Sequence, residues 1–324
     1  MPSANRVAEW LYEDGIGEAR AALVADGEIL EAAIEPEGGP LRVGTVADAR
    51  LSEILVPRLS GRVLLDDGGE ALLDGIPPGT TQGAAIRIRI VREAIPEAGR
   101  PKLAKAVAAL PDEDVRPGAS LLDRIRANGS PVRILQPYEP DLLEAAGWSE
   151  LIEEAESGEI AFVGGALRMS VTPAMTLFDV DGGPPVEALA IAGAMAAGRA
   201  IRRMGIGGSI GIDLPTLPGR QARRLAAEAL DAALPQPFER TAVNGFGFLQ
   251  VVRRRQRASL PELLAADPVA ARLRAALRRA ERDLPMDGVL SLARGEHVLA
   301  SARGDWIEAL ARRTGRPITL APLQ

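Results

Sequence analysis

Two apolar runs in this chain end in carboxylates: Met175-Thr-Leu-Phe-Asp-Val-Asp-Gly-Gly183 and, beyond the segment Val186 to Met204, Gly207-Gly-Ser-Ile-Gly-Ile-Asp-Leu214. Residues two apart on a strand share a face, so Asp179 and Asp181 point the same way. The intervening segment has helical length, and a right-handed crossover carries Asp213 to the carboxyl end of a neighbouring parallel strand. Three oxygen donors with no cysteine or histidine nearby suit Mg²⁺ or Mn²⁺, which are held by one or two carboxylates plus water and substrate phosphate. Aspartates at strand ends also begin turns and cap helices. On pattern alone the metal reading weighs no more than that one.

Other residue groups are less specific. Arg253-Arg-Arg-Gln-Arg257 reads equally as a solvated edge or a phosphate clamp. The glycines of Gly205 to Gly211 precede a strand instead of following one, which rules against a dinucleotide-binding fingerprint and favours a helix end turning into a strand. The chain has no cysteine and one histidine, His297, which reads as a surface or satisfied side chain. That composition excludes disulfides, thiol nucleophiles and cysteine-held zinc, and leaves little scope for imidazole zinc sites or a Ser-His-Asp triad. Any metal must be held by oxygen. A net charge of −6 argues against nonspecific polyanion binding by the whole surface, and 3% aromatic residues limit base stacking.

The elements that must position these groups follow from the spacing of apolar residues. Ala19 to Glu35 reads as a hairpin turned at Ala25-Asp-Gly-Glu28, and Leu41 to Val107 as the short strands of a small β-barrel. In Ala85-Ile-Arg-Ile-Arg-Ile-Val-Arg92 the alternation puts Ile86, Ile88 and Ile90 on one face and Arg87 and Arg89 on the other. Pro111 to Gly118 is a linker, followed by helix Ser120 to Asn128, strand Val132 to Leu135 and helix Ser149 to Glu156. A hairpin turned at Gly164-Gly165 leads into a strand–helix–strand–helix–strand pattern from Pro173 to about Leu260. In its first helix Gly193, Ala194, Ala196, Ala197 and Gly198 permit close packing on a sheet. Beyond Leu260 comes a smaller α/β unit: helix Pro268 to Arg282, strand Gly288 to Leu292, helix Gly304 to Thr314 and strand Pro317 to Leu320. With 324 residues, no membrane-length apolar run and an acidic opening stretch, the expectation is a multidomain α/β protein of the cytoplasm.

Several blocks, in order and spacing, resemble the catalytic region of the ribonuclease E/G family, single-strand-specific bacterial endoribonucleases. Glu18 to Glu35 is similar to the family's first hairpin, and Gly165 to Asp181 to the approach to its first catalytic aspartate, with the family's Asp-Val-Asn-Ser reading Asp179-Val-Asp-Gly182. Gly207 to Leu214 resembles the strand carrying the second catalytic aspartate, and Asn244 to Leu260 the arginine-rich segment after it. The resemblance implies a split RNase H-like scaffold (1–40 and 119–170), an inserted S1-like β-barrel with its linker (41–118), a DNase I-like catalytic subdomain (171–260) and a small C-terminal α/β domain (261–324).

It further implies Mg²⁺, or Mn²⁺, held by Asp179 and Asp213 with Asp181 as a third acid. Arg253, Arg255, Arg257, Lys102 and Arg100 are the implied contacts to single-stranded RNA, and neither DNA nor a membrane is an expected partner. Products would carry a 5′-phosphate and a 3′-hydroxyl. The chain departs from the family in further ways, among them Gly99-Arg-Pro-Lys-Leu103 in place of the family's Lys-Gly-Ala stretch. It lacks the cysteine pair, so no zinc links protomers, although another kind of homo-oligomer stays open. Residues 41–107 contain no aromatic side chain. The segment that senses a 5′-monophosphate has no counterpart. The family's Asn-Leu-Glu reads Ala190-Ile-Ala192, while Arg199 and Arg202 match. The expected activity is a metal-dependent endoribonuclease, and the alternative is a noncatalytic RNA-binding or scaffold relative.

Overall fold

In the computed structural model, which describes residues 8–97, 99 and 101–323, the chain first builds an antiparallel meander of β1 (Glu9–Asp14), β2 (Glu18–Ala25) and β3 (Glu28–Pro36). Asp26 and Gly27 take positive φ at the β2–β3 turn, as a tight two-residue hairpin requires. β4 (Val46–Val56), β5 (Ser60–Leu65), β6 (Glu70–Asp74), β7 (Ala85–Arg92) and β8 (Ala104–Ala108) then close into a five-stranded barrel. Its interior holds Leu51, Val63, Leu73, Ile88 and Ile90, so the isoleucines of β7 point inward as the alternation predicts. Arg87 pairs outside with Asp48 and Arg89 with Glu113 of the linker.

The chain returns through α1 (Leu121–Ala127) to β9 (Val132–Ile134), which extends the meander by pairing with β1 in parallel. The pairing of β1 explains a strand absent from the sequence reading, since Glu9 to Asp14 shows no alternation: both its faces are covered, by α1 against Trp10 and Tyr12 and by the main core against Leu11. After α2 (Leu142–Ala145) and α3 (Trp148–Ser157) comes a six-stranded sheet of β10 (Glu159–Phe162), β11 (Gly165–Val171), β12 (Thr176–Gly182), β13 (Gly208–Asp213), β14 (Glu239–Arg240) and β15 (Phe248–Arg253), in the order β10-β11-β12-β13-β15-β14. The sheet is mixed, not parallel as the sequence suggested. Only β12 and β13 are parallel neighbours, at its centre, joined by a helical crossover, whereas the helix that follows β13 leads to β14, which β15 separates from it.

That crossover is α4 (Val186–Arg203), packed beside α5 (Arg220–Ala233). α4 lies between the six-stranded sheet and the meander, which explains its small residues. A Cβ on Gly193 would come within 2.5 Å of Val180 Cγ1, and one on Gly198 within 2.9 Å of Ala233 Cβ. The remainder is α6 (Leu260–Ala266), α7 (Pro268–Arg282), β16 (Val289–Leu292), α8 (Arg294–Ala302), α9 (Gly304–Thr314) and β17 (Thr319–Pro322). A buried charge cluster fastens α7 to the meander. Glu13 Oε1 accepts from Arg20 at 2.7 Å and from Arg278 at 2.9 Å, its Oε2 accepts from Arg282 at 2.6 Å, and Asp141 accepts from Arg278 at 2.6 Å. Among the described residues no helix is long and apolar enough to cross a membrane.

Candidate functional site: a carboxylate pair on an open sheet face

The helices cover one face of the six-stranded sheet. Phe178 and Val180 of β12, Ile210 and Ile212 of β13, and Leu249 and Val251 of β15 are buried beneath them. Each such side chain contributes roughly 1.5–3 kcal/mol, and a one-residue slip would move the whole set to the other side. The register is therefore strongly fixed. By the period of two, the residues between must emerge on the opposite face, which no helix covers among the described residues.

Asp179 and Asp213 are direct partners across the parallel pair and both are exposed, so two carboxylates stand side by side on strands about 4.8 Å apart. Asp181 is on the same face, one pleat further. Its Oδ2 is 3.3 Å from Nε of Arg168, whose register partner on β12 is Asp179. The third acid is thus engaged with a cation, and among the described residues no group of three or more acidic, histidine or cysteine side chains is arranged to hold a metal. A donor set of two carboxylates still suits Mg²⁺, which keeps several waters and completes its shell from substrate phosphate. It does not suit a metal needing a full protein cage.

The neighbours on this face were not singled out by the sequence reading. Phe248 is the register partner of Asp213, and a Cβ on Gly211 would lie 2.6 Å from Phe248 Cζ and 2.7 Å from Leu177 Cδ2. The Phe248 ring and Leu177 occupy the space above Gly211. Further along, Gln250 donates to Ser209 Oγ at 3.1 Å. The loop before β15 is held by Asn244, whose Oδ1 accepts from the backbone N–H of Phe246 at 2.9 Å and of Phe248 at 3.0 Å. Leu214, the residue after Asp213, donates to the carbonyl of Gly247 in that loop. Phe246 is 83% exposed. The signal for Arg168 and Phe248 lay in their strand parity, readable only once the strands are paired.

The arginine run lies elsewhere. Arg253 is paired with Gly208, five residues back along β13 from Asp213, roughly 16 Å at about 3.3 Å per residue, and shares the helix-covered side with Leu249 and Val251. Burial pushes its guanidinium below the ordinary arginine range, and it donates to the carbonyl of Ile206 at 3.3 Å. Arg255 bridges Glu97, at 2.8 Å, and Glu262. Arg257 pairs with Glu93 at 3.0 Å, where burial pushes the arginine down and the carboxyl up. Lys102 also binds Glu97, at 2.6 Å. Arg255 and Arg257 thus tie the β7–β8 connection of the barrel to the segment after β15. Arg253, Arg255 and Arg257 line a cleft of about 1450 Å³ between meander, barrel and that segment, and Arg255 and Lys102 a smaller cavity of about 220 Å³ at the far end of β13. The structure does not bring them to the carboxylate pair, and Arg100 lies outside the described residues. His297 is on α8, in the C-terminal unit.

Fold and site together define a mixed α/β multidomain protein in which a closed barrel is joined to a sheet with one bare, carboxylate-bearing face. No protein-family model matches the chain, and no curated protein does.

Proposed function

We propose that this protein is a metal-dependent endoribonuclease acting on single-stranded RNA, a trimmed relative of the ribonuclease E/G family. The observation that carries the reading is the pairing of Asp179 with Asp213, both exposed, at the centre of the sheet. A scaffold has no chemical need for two adjacent carboxylates there, where like charges on neighbouring strands are mutually destabilising. In this reading the meander with β9, α1–α3, β10 and β11 is the RNase H-like scaffold, the closed barrel is S1-like, β12–β15 with α4 and α5 form the DNase I-like subdomain, whose sheet β10 and β11 extend, and the C-terminal unit is the small α/β domain.

Asp179 and Asp213 hold the ion, with Mg²⁺ or Mn²⁺ the fitting choices. When bound, it supplies activation of water and stabilisation of charge developing at phosphorus. Arg168 compensates Asp181, so the approaching phosphate meets two uncompensated carboxylates instead of three. The products carry a 5′-phosphate and a 3′-hydroxyl, and the site of action is the cytoplasm.

A second reading is a noncatalytic RNA-binding relative. It is favoured by the engagement of Asp181 with Arg168, which leaves no three-ligand group among the described residues. The two separate in one assay: a labelled single-stranded RNA incubated with Mg²⁺ and the unaltered protein, Asp179→Asn or Asp213→Asn. Cleavage that requires Mg²⁺ and both aspartates supports the nuclease. Cleavage indifferent to either sinks it, and RNA binding without cleavage selects the second reading.

A further inference from the structure

We infer that Phe246 and Phe248 form a base-stacking site beside the carboxylate pair, and that this site, not the barrel, grips the nucleobases of the single-stranded RNA. The inference rests on the RNA reading above and names where the bases go. The chain has five phenylalanines in 324 residues and none in the barrel, yet one of the five is the register partner of Asp213 and another is in the loop leading into that strand, bonded to the residues just after Asp213. Phe248 is in register with Asp213, and its half-buried ring covers Gly211, a position where any side chain would collide with it. Phe246 is 83% exposed in a loop that is not slack. Asn244 holds its backbone, Thr216 Oγ1 donates to its carbonyl at 3.4 Å, and Gly247 is bonded to the residue that follows Asp213.

An exposed aromatic ring on a hydrogen-bonded loop offers a π-face at little ordering cost, which is what a sequence-tolerant stacking contact needs. Its position next to the carboxylates would seat a base adjacent to the phosphate being attacked. Binding at the reacting phosphate and stacking of the neighbouring base then act on the same nucleotide step.

The test uses the whole chain in EDTA, so that no cleavage intervenes, with two probes: an oligoadenylate of about eight nucleotides and an abasic sugar-phosphate chain of the same length. Phe246→Ala is expected to weaken oligoadenylate binding about 5- to 150-fold, the range of one stacked base, and to leave the abasic chain unchanged. Phe246→Trp should restore binding. Phe248→Leu keeps apolar cover over Gly211 while removing the ring, so it reports on stacking without emptying the site. Equal losses on both probes, no loss on oligoadenylate, or unaltered protein that binds both probes alike would overturn the inference. So would a change of oligomeric state in Phe246→Ala by sedimentation, which would make the ring a protein contact. Because binding is read without metal, loss of the nuclease reading through mutation-insensitive cleavage leaves this result intact, and the converse holds.

Discussion

The barrel and the six-stranded sheet are both β-structures with a large solvent-facing side, and they treat it in opposite ways. On the barrel, charges are answered locally: Arg87 by Asp48, Arg89 by Glu113, Lys105 by Asp74, Arg62 by Glu53 and Glu70. Closure removes strand edges, and the interior is filled by aliphatic side chains alone. On the sheet, one face carries Asp179 and Asp213 with no ion-pair partner among the described residues, the ion pair between Arg168 and Asp181, and Phe248 beside them. A surface that satisfies itself has little to offer a ligand. A surface with adjacent like charges gains from one, because an added cation removes their repulsion.

The sharpest way to break that contrast is at the carboxylates. Asp179→Asn or Asp213→Asn is expected to lower cleavage at least about a hundredfold while thermal unfolding hardly moves, since loss even of a metal site's supporting groups costs 10–100-fold. A comparable loss from substituting barrel Arg58 would reverse the roles of the two surfaces.

Next in size is a change that touches neither surface. Glu13→Gln leaves Arg20, Arg278 and Arg282 around a neutral group and should cost about 3–5 kcal/mol in denaturant unfolding, the usual penalty for breaking a buried ion pair. Burial alone would raise the Glu13 carboxyl, but Arg278, Arg20 and Arg282 overcome it and hold it below the ordinary range; for Asp141 burial is overcome by Arg278, the backbone N–H of Glu144 and Arg282. Groups whose folded pKa is depressed stabilise above their unfolded pKa and lose that contribution as pH falls through the folded one. Acid unfolding should therefore set in below the ordinary carboxylate range and shift to less acidic pH in an Asp141→Asn variant.

Arg255→Ala cuts the bridge from Glu97 near the barrel to Glu262 of α6, and should cost about 1.5–3 kcal/mol, the worth of hydrogen bonds to charged groups. If Arg255 is purely a tie, binding of the abasic chain changes little once the variant is folded; a steep loss at low salt would return it to the role of phosphate contact. The smallest effect is expected of Arg168→Ala. Both partners are more than half exposed, so stability should change by about 0–1 kcal/mol. Freed of its partner, Asp181 would repel the RNA, raising KM a few-fold at low salt, and Arg168→Lys should recover most of it.

Legibility in the sequence followed how local each determinant was. The β2–β3 turn, the presence of a small barrel with its strand Ala85 to Arg92, and the crossover helix were readable, because alternation, Asp-Gly turns and helical length are written in consecutive residues. α8 was not foreseen: Arg294 to Ala302 begins without a side-chain cap, with Gly295 in its first turn, and ends in the small residues Ala300, Ser301 and Ala302. The aspartate pair was legible as strand ends. Its partners Arg168 and Phe248 were not, since only strand pairing brings them alongside.

The arginine run makes the same division from the other side. Its charge was plain in the sequence, but a charge pattern does not say which acids will meet it. Glu93, Glu97 and Glu262 come from distant parts of the chain, and folding places them against Arg255 and Arg257. By itself the sequence determined which residues could be buried and which must emerge, and hence that Asp179 and Asp181 would share one face. The tertiary structure decided that Asp213 joins them beside Asp179, that neither of this pair has an ion-pair partner among the described residues, that Asp181 is matched by Arg168, and that the arginines are turned to other work. Burial and parity are properties of one strand, whereas the company a side chain keeps depends on every element packed around it.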